Sequence, residues 1–157
     1  MSRFERHILK CYYICNNIFY NDNKKLFDSI MMKILNKYYS FLLKFLYGSF
    51  IPYRARLGKN IKFIHSFHGI FISQTSIIGD NCKILHHVTI GSNIQKGSNI
   101  ESPVIGNNVF IGCNCCIIGK TYIGDDCKIG AGVVITNKTI KPASVVILNN
   151  ITIMKKG

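Results

Sequence analysis

The sequence predicts a mainly-β solenoid of about five coils behind an α-helical N-terminal segment, and three observations carry that prediction. Isoleucine recurs every six residues at Ile105, Ile111, Ile117, Ile123, Ile129 and Ile135. Four places after each stand small or β-branched residues: Val109, Cys115, Thr121, Cys127, Val133 and Thr139. Glycine directly follows the isoleucine at Gly106, Gly112, Gly124 and Gly130. A period of six suits neither the 3.6-residue turn of an α-helix nor the two-residue alternation of a lone strand. It suits a triangular coil whose flat sides are short strands and whose corners are tight turns. The aliphatic residue then fills the interior, and glycine or a small polar residue relieves crowding at the corner. Three hexads make one coil, and stacked coils share one apolar core. An ordinary β-sandwich does not predict this period.

In chain order, Arg3–Tyr20 reads as a first helix. A second spans Lys24–Leu46, with apolar residues at Phe27, Ile30, Met31, Ile34, Tyr38, Phe41, Leu42 and Phe45 at spacings of three and four. Asp22 or Asn23 is placed to cap it and Gly48 to end it. Lys24, Lys25, Lys33, Lys37 and Lys44 lie mostly off the apolar face, which is expected to pack on the solenoid or a neighbouring subunit. Docking on an anionic membrane surface is the alternative. The solenoid opens with Ile51, Leu57 and Phe63 and continues through Ile72, Ile78, Ile84 and Ile90, with Ser76, Cys82 and Val88 at the small positions. The expected division is therefore a helical segment at 1–50, a solenoid domain at 51–148 and a tail at 149–157.

Two breaks interrupt the period. Phe63 to Ile72 takes nine residues, the excess surrounding His65-Ser-Phe-His-Gly69. Ile90 to Ile105 takes fifteen, which predicts a protruding polar loop at Ser92–Pro103. Insertions in repeat proteins are where binding surfaces are often built.

Composition excludes several classes. Of the 157 residues 48% are hydrophobic and 17% charged, which is a globular balance rather than a disordered one. No apolar run approaches the roughly 20 residues of a membrane span. Met1–Lys10 is charged throughout and unlike a secretory signal, so a cytoplasmic protein is expected. The seven cysteines fall in the N-terminal segment or at repeat positions, and Cys113, Cys115 and Cys116 are too crowded for a zinc ribbon. Reduced, packed thiols are expected. The net charge of +13 favours polyanions such as CoA phosphates, anionic lipid or acidic polysaccharide. No nucleic-acid motif is present, and the basic residues form no dense run.

The segments IGDNCKILHHVTIGSN (Ile78–Asn93), VIGNNVFIGCNCCIIG (Val104–Gly119) and YIGDDCKIGAGVVITN (Tyr122–Asn137) resemble the hexapeptide-repeat acyltransferases. More narrowly, they resemble the serine acetyltransferase-like branch, which includes acetyltransferases of bacterial surface polysaccharides. The likeness covers Ile51–Val146. It implies a left-handed parallel β-helix, a homotrimer and acetyl-CoA held in the groove between neighbouring solenoids, with no metal. A histidine then acts as general base on the acceptor hydroxyl, a task that suits imidazole because it titrates near neutrality. Backbone N–H groups at a turn would stabilise the oxyanion.

His65 matches the histidine of the family's break and is the candidate base. His86, two places after Ile84, should project outward; it either takes a second role in the active site or is a surface histidine. His68 and His87 read as structural or solvent-facing. The family's cofactor-binding turns correspond to Cys113 and Ala131, with Thr136 near the adenine end and Lys120, Lys138 and Lys141 available to phosphates. The chain departs from the serine acetyltransferases in three places. Their aspartate, about fifteen residues before the histidine, falls here near Phe50. Their DRHP histidine falls in Glu101-Ser-Pro103, and their terminal GxPA motif in Leu148-Asn-Asn-Ile151. Without the aspartate, a backbone carbonyl or Glu101 must orient His65. The first two losses point to a carbohydrate hydroxyl as acceptor, with serine as the alternative. A γ-carbonic-anhydrase-like metal enzyme and a non-catalytic scaffold are the readings from other classes. The adjacent pair His86-His87 argues against the first of these.

Overall fold

The structure is a computed structural model that describes residues 1–93 and 100–148. Two helices precede the solenoid. Helix α1 (Arg3–Phe19) starts at a capping box: the Ser2 hydroxyl accepts the Glu5 N–H, and the Glu5 carboxylate accepts the Ser2 N–H. Helix α2 (Leu26–Tyr47) begins later than its apolar spacing suggests, and neither Asp22 nor Asn23 caps it. The Asn21 side chain instead accepts the Asn23 N–H in a turn, and the Asp28 carboxylate accepts the N–H of Lys25, the N-cap residue. Gly48 ends α2 in the left-handed conformation, φ +58°, as its position implies.

Helix α1 closes the open end of the solenoid. A stack of parallel coils ends in unpaired backbone groups that need partners. The Asn16 side chain donates to the carbonyls of Tyr53 and Ala55 at 2.6 and 2.8 Å, Tyr20 Oη donates to Arg54, and Tyr12 Oη accepts the Leu57 N–H at 3.2 Å. Ile8, Cys11, Tyr12 and Cys15 of α1 and Tyr39 and Leu43 of α2 are buried in the same core as the solenoid isoleucines. The face of α2 that packs is thus the one carrying Tyr39 and Leu43, with Met32 and Leu35 beside them. The stripe expected to pack, Phe27, Ile30, Ile34, Tyr38, Phe41 and Phe45, faces outward.

The solenoid follows the hexads. Its first coil is β1 (Arg56–Leu57), β2 (Lys62–Phe63) and β3 (Phe71–Ile72). The second is β4 (Ile77–Ile78), β5 (Lys83–Ile84) and β6 (Thr89–Gly91), and the third β7 (Val104–Ile105), β8 (Phe110–Ile111) and β9 (Cys116–Ile118). The fourth is β10 (Tyr122–Ile123), β11 (Lys128–Ile129) and β12 (Val134–Thr136), after which β13 (Thr139–Ile140) and β14 (Val145–Val146) begin a fifth. Stacking produces three parallel sheets, ordered β1-β4-β7-β10-β13, β2-β5-β8-β11-β14 and β3-β6-β9-β12. Register pairs isoleucine with isoleucine through the interior, as in Ile78–Ile105–Ile123 and Ile84–Ile111–Ile129. Each fully buried isoleucine side chain contributes roughly 1.5–3 kcal/mol.

The small positions from Ser76 to Val133 are buried as the pattern requires, and three of their cysteines serve the corners. The thiols of Cys82, Cys115 and Cys127 donate to the carbonyls of Gly106, Gly130 and Lys141. All seven cysteines are free. Asn60, Asn81, Asn108 and Asp126 take positive φ at one corner, where Asn side chains tolerate the left-handed turn. Asn60 donates to Asn81, and Asn108 to Asp126.

One register expectation fails. Thr139 lies opposite Tyr122 and is exposed rather than buried at a corner. The last turn is one residue shorter than its predecessors, so Ile140, five places after Ile135, fills the interior position. Lys138 takes the backbone place of Thr121, accepting the Tyr122 N–H. At the second break, the Asn93 N–H donates to the Glu101 carbonyl at 2.8 Å and closes the base of the expected loop, whose residues 94–99 lie outside the described part. So do residues 149–157, including most of the expected GxPA counterpart and the tail.

Candidate active site

The first break is built by α2's exit. After Gly48 the chain runs beside the break segment and pairs with it. The Gly69 N–H donates to Tyr47 O, Phe50 N–H to Ile70 O and Ile72 N–H to Phe50 O, at 3.0, 2.8 and 2.9 Å. Buried Ser49 bridges the break from within: its hydroxyl donates to the Phe67 carbonyl and accepts the Ile70 N–H at 2.8 Å. Phe67 is buried against Phe63, ring centroids 4.9 Å apart. With Phe67 turned in, His65 and His68 turn out and are exposed. Phe50 is exposed and bridges Phe71 at the edge of the sheet containing β3.

The strand register then aligns four of the candidate residues. Phe63 pairs with Ile84, Ile84 with Ile111 and Ile111 with Ile129. His65, His86, Cys113 and Ala131 each stand two places further on, so they form one column along the corner between the second and third sheets. At its head the His65 and His86 rings meet edge to face, centroids 5.3 Å apart, and His87 lies 5.3 Å beyond His86. His86 Nδ1 is buried without a hydrogen-bond partner among the described residues. A buried polar atom of this kind calls for a ligand or water to complete it.

Two close approaches shape the corner. Gly69, at φ +65°, leaves room for the His87 ring, since a Cβ there would lie 2.2 Å from His87 Nδ1. Gly112 packs on the next coil, where a Cβ would lie 2.6 Å from the Ala131 nitrogen. Among the described residues the N–H groups of Cys113 and Ala131 carry no hydrogen bond, which leaves two donors along the column below the histidines. Cys113 is partly exposed, whereas burial pushes the Cys115 thiol up, so Cys115 is a neutral packing group. The column combines imidazoles able to take a proton with free N–H donors able to hold carbonyl oxygens of an extended ligand or a developing oxyanion.

The remaining candidates lie at the opposite edge of the sheet containing β12. Thr136 is exposed in register with Ile118 and Gly91. Lys120, expected near phosphates, pairs with Glu101 at 3.4 Å on the surface. Glu101 therefore does not orient His65 within one chain. Lys138 is exposed at that edge, whereas Lys141 is exposed past β13, at the corner between the first and second sheets. Among the described residues no three His, Cys, Asp or Glu side chains converge as metal ligands. The sequence reading missed Ser49, whose only forerunner was the helix stop at Gly48.

Comparison with known proteins places these features among relatives. The family model for bacterial transferase hexapeptide (six repeats) matches residues 102–137. A serine acetyltransferase of Helicobacter pylori strain 26695 is 33% identical over 129 residues, covering 82% of this chain and 69% of the relative. A serine acetyltransferase of Synechococcus elongatus is also 33% identical, over 80% of this chain but only 51% of its own length, so the chain spans about half of that relative. A solved serine acetyltransferase in complex with CoA superposes with a TM-score of 0.66 and 25% identity, covering 86% of this chain and 51% of the other.

Proposed function

Because this chain belongs to the hexapeptide-repeat transferases, in their serine acetyltransferase branch, we propose that it transfers an acetyl group from acetyl-CoA to a hydroxyl, with His65 as general base. The observation that carries this reading is the column itself: exposed His65 against His86, followed by the N–H groups of Cys113 and Ala131, which carry no hydrogen bond among the described residues. In the reaction His65 takes the proton of the acceptor hydroxyl as its oxygen attacks the thioester carbonyl. The new C–O bond forms, the C–S bond breaks, and the imidazolium returns its proton to the CoA sulfur. A free N–H of the column holds the carbonyl oxygen while it carries negative charge. His86 packs against the base and limits its rotation.

Serine is the acceptor supported by the relatives' names. A carbohydrate hydroxyl is the second reading, and one feature favours it: the sequence carries no aspartate near Phe50, where the family resemblance calls for one. The family resemblance implies a homotrimer with acetyl-CoA in the groove between neighbouring solenoids.

The test is thiol release from acetyl-CoA with serine and with a panel of sugars, run beside His65→Ala. Turnover that falls at least ~100-fold in the variant supports the reading. Serine turnover alone selects the first acceptor, and sugar turnover alone the second. Thiol release unchanged by the substitution, or absent with every acceptor, overturns it.

A further inference from the structure

Helix α2 has three sectors. Met32, Leu35, Tyr39 and Leu43 pack on the core. Phe27, Ile30, Ile34, Tyr38, Phe41 and Phe45, spaced by three and four, form an outward stripe. Its members are uncovered: Phe27 is 72%, Ile34 67% and Phe45 74% exposed. Phe41 and Phe45 stack on each other, ring centroids 5.5 Å apart. The stripe is about 27 Å long at the helical rise of 1.5 Å per residue. Lys33, Lys37 and Lys44 line one margin, and Lys24 and Lys25 sit at its start, all exposed. None of the five forms an ion pair among the described residues, and Asp28 is the one acidic residue of α2.

A large continuous apolar surface on a soluble fold marks an interaction site. The charge beside it identifies the partner. A second copy of α2 would bring Lys33, Lys37 and Lys44 near their own counterparts, with a single aspartate per helix to offset them. A bilayer with anionic headgroups offers acyl chains to the stripe and negative charge to its lysine margin, which is the arrangement of a helix lying in a membrane interface. No described helix is long and apolar enough to cross a membrane, so the contact lies along the surface.

We propose that α2 docks this protein flat on an anionic phospholipid bilayer, with Phe27, Ile34, Phe41 and Phe45 inserted and Lys33, Lys37 and Lys44 on the headgroups. The test is sedimentation of the full chain with vesicles of phosphatidylcholine alone or mixed with phosphatidylglycerol. Binding is expected to the mixed vesicles only and to weaken as salt rises to about 0.5 M. Phe27→Ser/Phe41→Ser/Phe45→Ser and Lys33→Glu/Lys37→Glu/Lys44→Glu should each weaken it at least ~10-fold. These residues are exposed, so both variants should keep the parent circular dichroism spectrum. Failure to bind any vesicle, or undiminished binding by the phenylalanine variant, overturns the proposal. So does light scattering in which that variant lowers the oligomeric state of the free protein, since a second copy then covers the stripe.

Discussion

The imidazoles of His65 and His86 come from different coils yet meet edge to face, ring centroids 5.3 Å apart. Neither neighbour in sequence supplies this contact; the pairing of Phe63 with Ile84 does.

Two side chains that act as one unit do not contribute additively. We expect His65→Ala to lower turnover at least ~100-fold and His86→Ala by less, at least ~5-fold. The double variant should be about as slow as His65→Ala alone. Steady-state thiol release on the three variants checks this, and losses that multiply would show two independent roles.

Gly69 faces the His87 ring at positive φ. Gly69→Ala should cost about 1–2 kcal/mol for the left-handed backbone alone, and more for the clash with His87. Chemical denaturation should register the loss, and acetyl transfer should fall with it because the break carrying His65 must shift. A fully stable and active variant would contradict this geometry.

Ser49 satisfies two buried backbone groups of the break. Ser49→Ala removes that bridge, but the Ile70 N–H keeps its 3.1 Å bond to the Phe67 carbonyl, so the variant should be destabilised by about 0.5–1.5 kcal/mol. Ser49→Thr keeps the hydroxyl and should recover part of the loss. Urea titration of the pair distinguishes a hydrogen-bonding role from simple volume.

Alkaline pH should weaken the packing of α1, whose Cys15 donates to Met32 of α2 and whose Tyr13 donates to Gly58 of the solenoid. Burial lifts the Cys15 thiol from its ordinary 9.0 to about 11 and the Tyr13 hydroxyl from 10.0 to about 12. The folded state thus retains protons that the unfolded chain releases, so this stability is complete below pH about 9 and is lost as pH rises towards about 11 to 12. Melting temperatures across that range should fall, and less steeply in Cys15→Ala. An unchanged slope in the variant would remove Cys15 from the effect.

The isoleucine register made the solenoid legible because period six has few physical solutions, and the break at His65 stood out against it. His65 and the pair Cys113 and Ala131 follow from the family resemblance and His86 from its place two residues after Ile84, and the stacking of coils puts all four in one column. Three features escaped. Ser49 was hidden because its role depends on how the chain turns at Gly48, which no local pattern specifies. Thr139 was misplaced because the final turn drops a residue, and a strict count of six carries past the deletion. For α2, spacings of three and four identify a helix with two apolar arcs, but not which arc meets the core.

The column also works as a graduated scale. Neighbouring strands lie about 4.8 Å apart, so each coil advances the line by one such step. The reach from His65 to Ala131 is three steps, about 14 Å. Adding a whole coil between His86 and Cys113 would lengthen that reach by one graduation while preserving the interior register. A partial coil would disrupt the register, so a fold of this kind can adapt to longer or shorter molecules only in discrete increments.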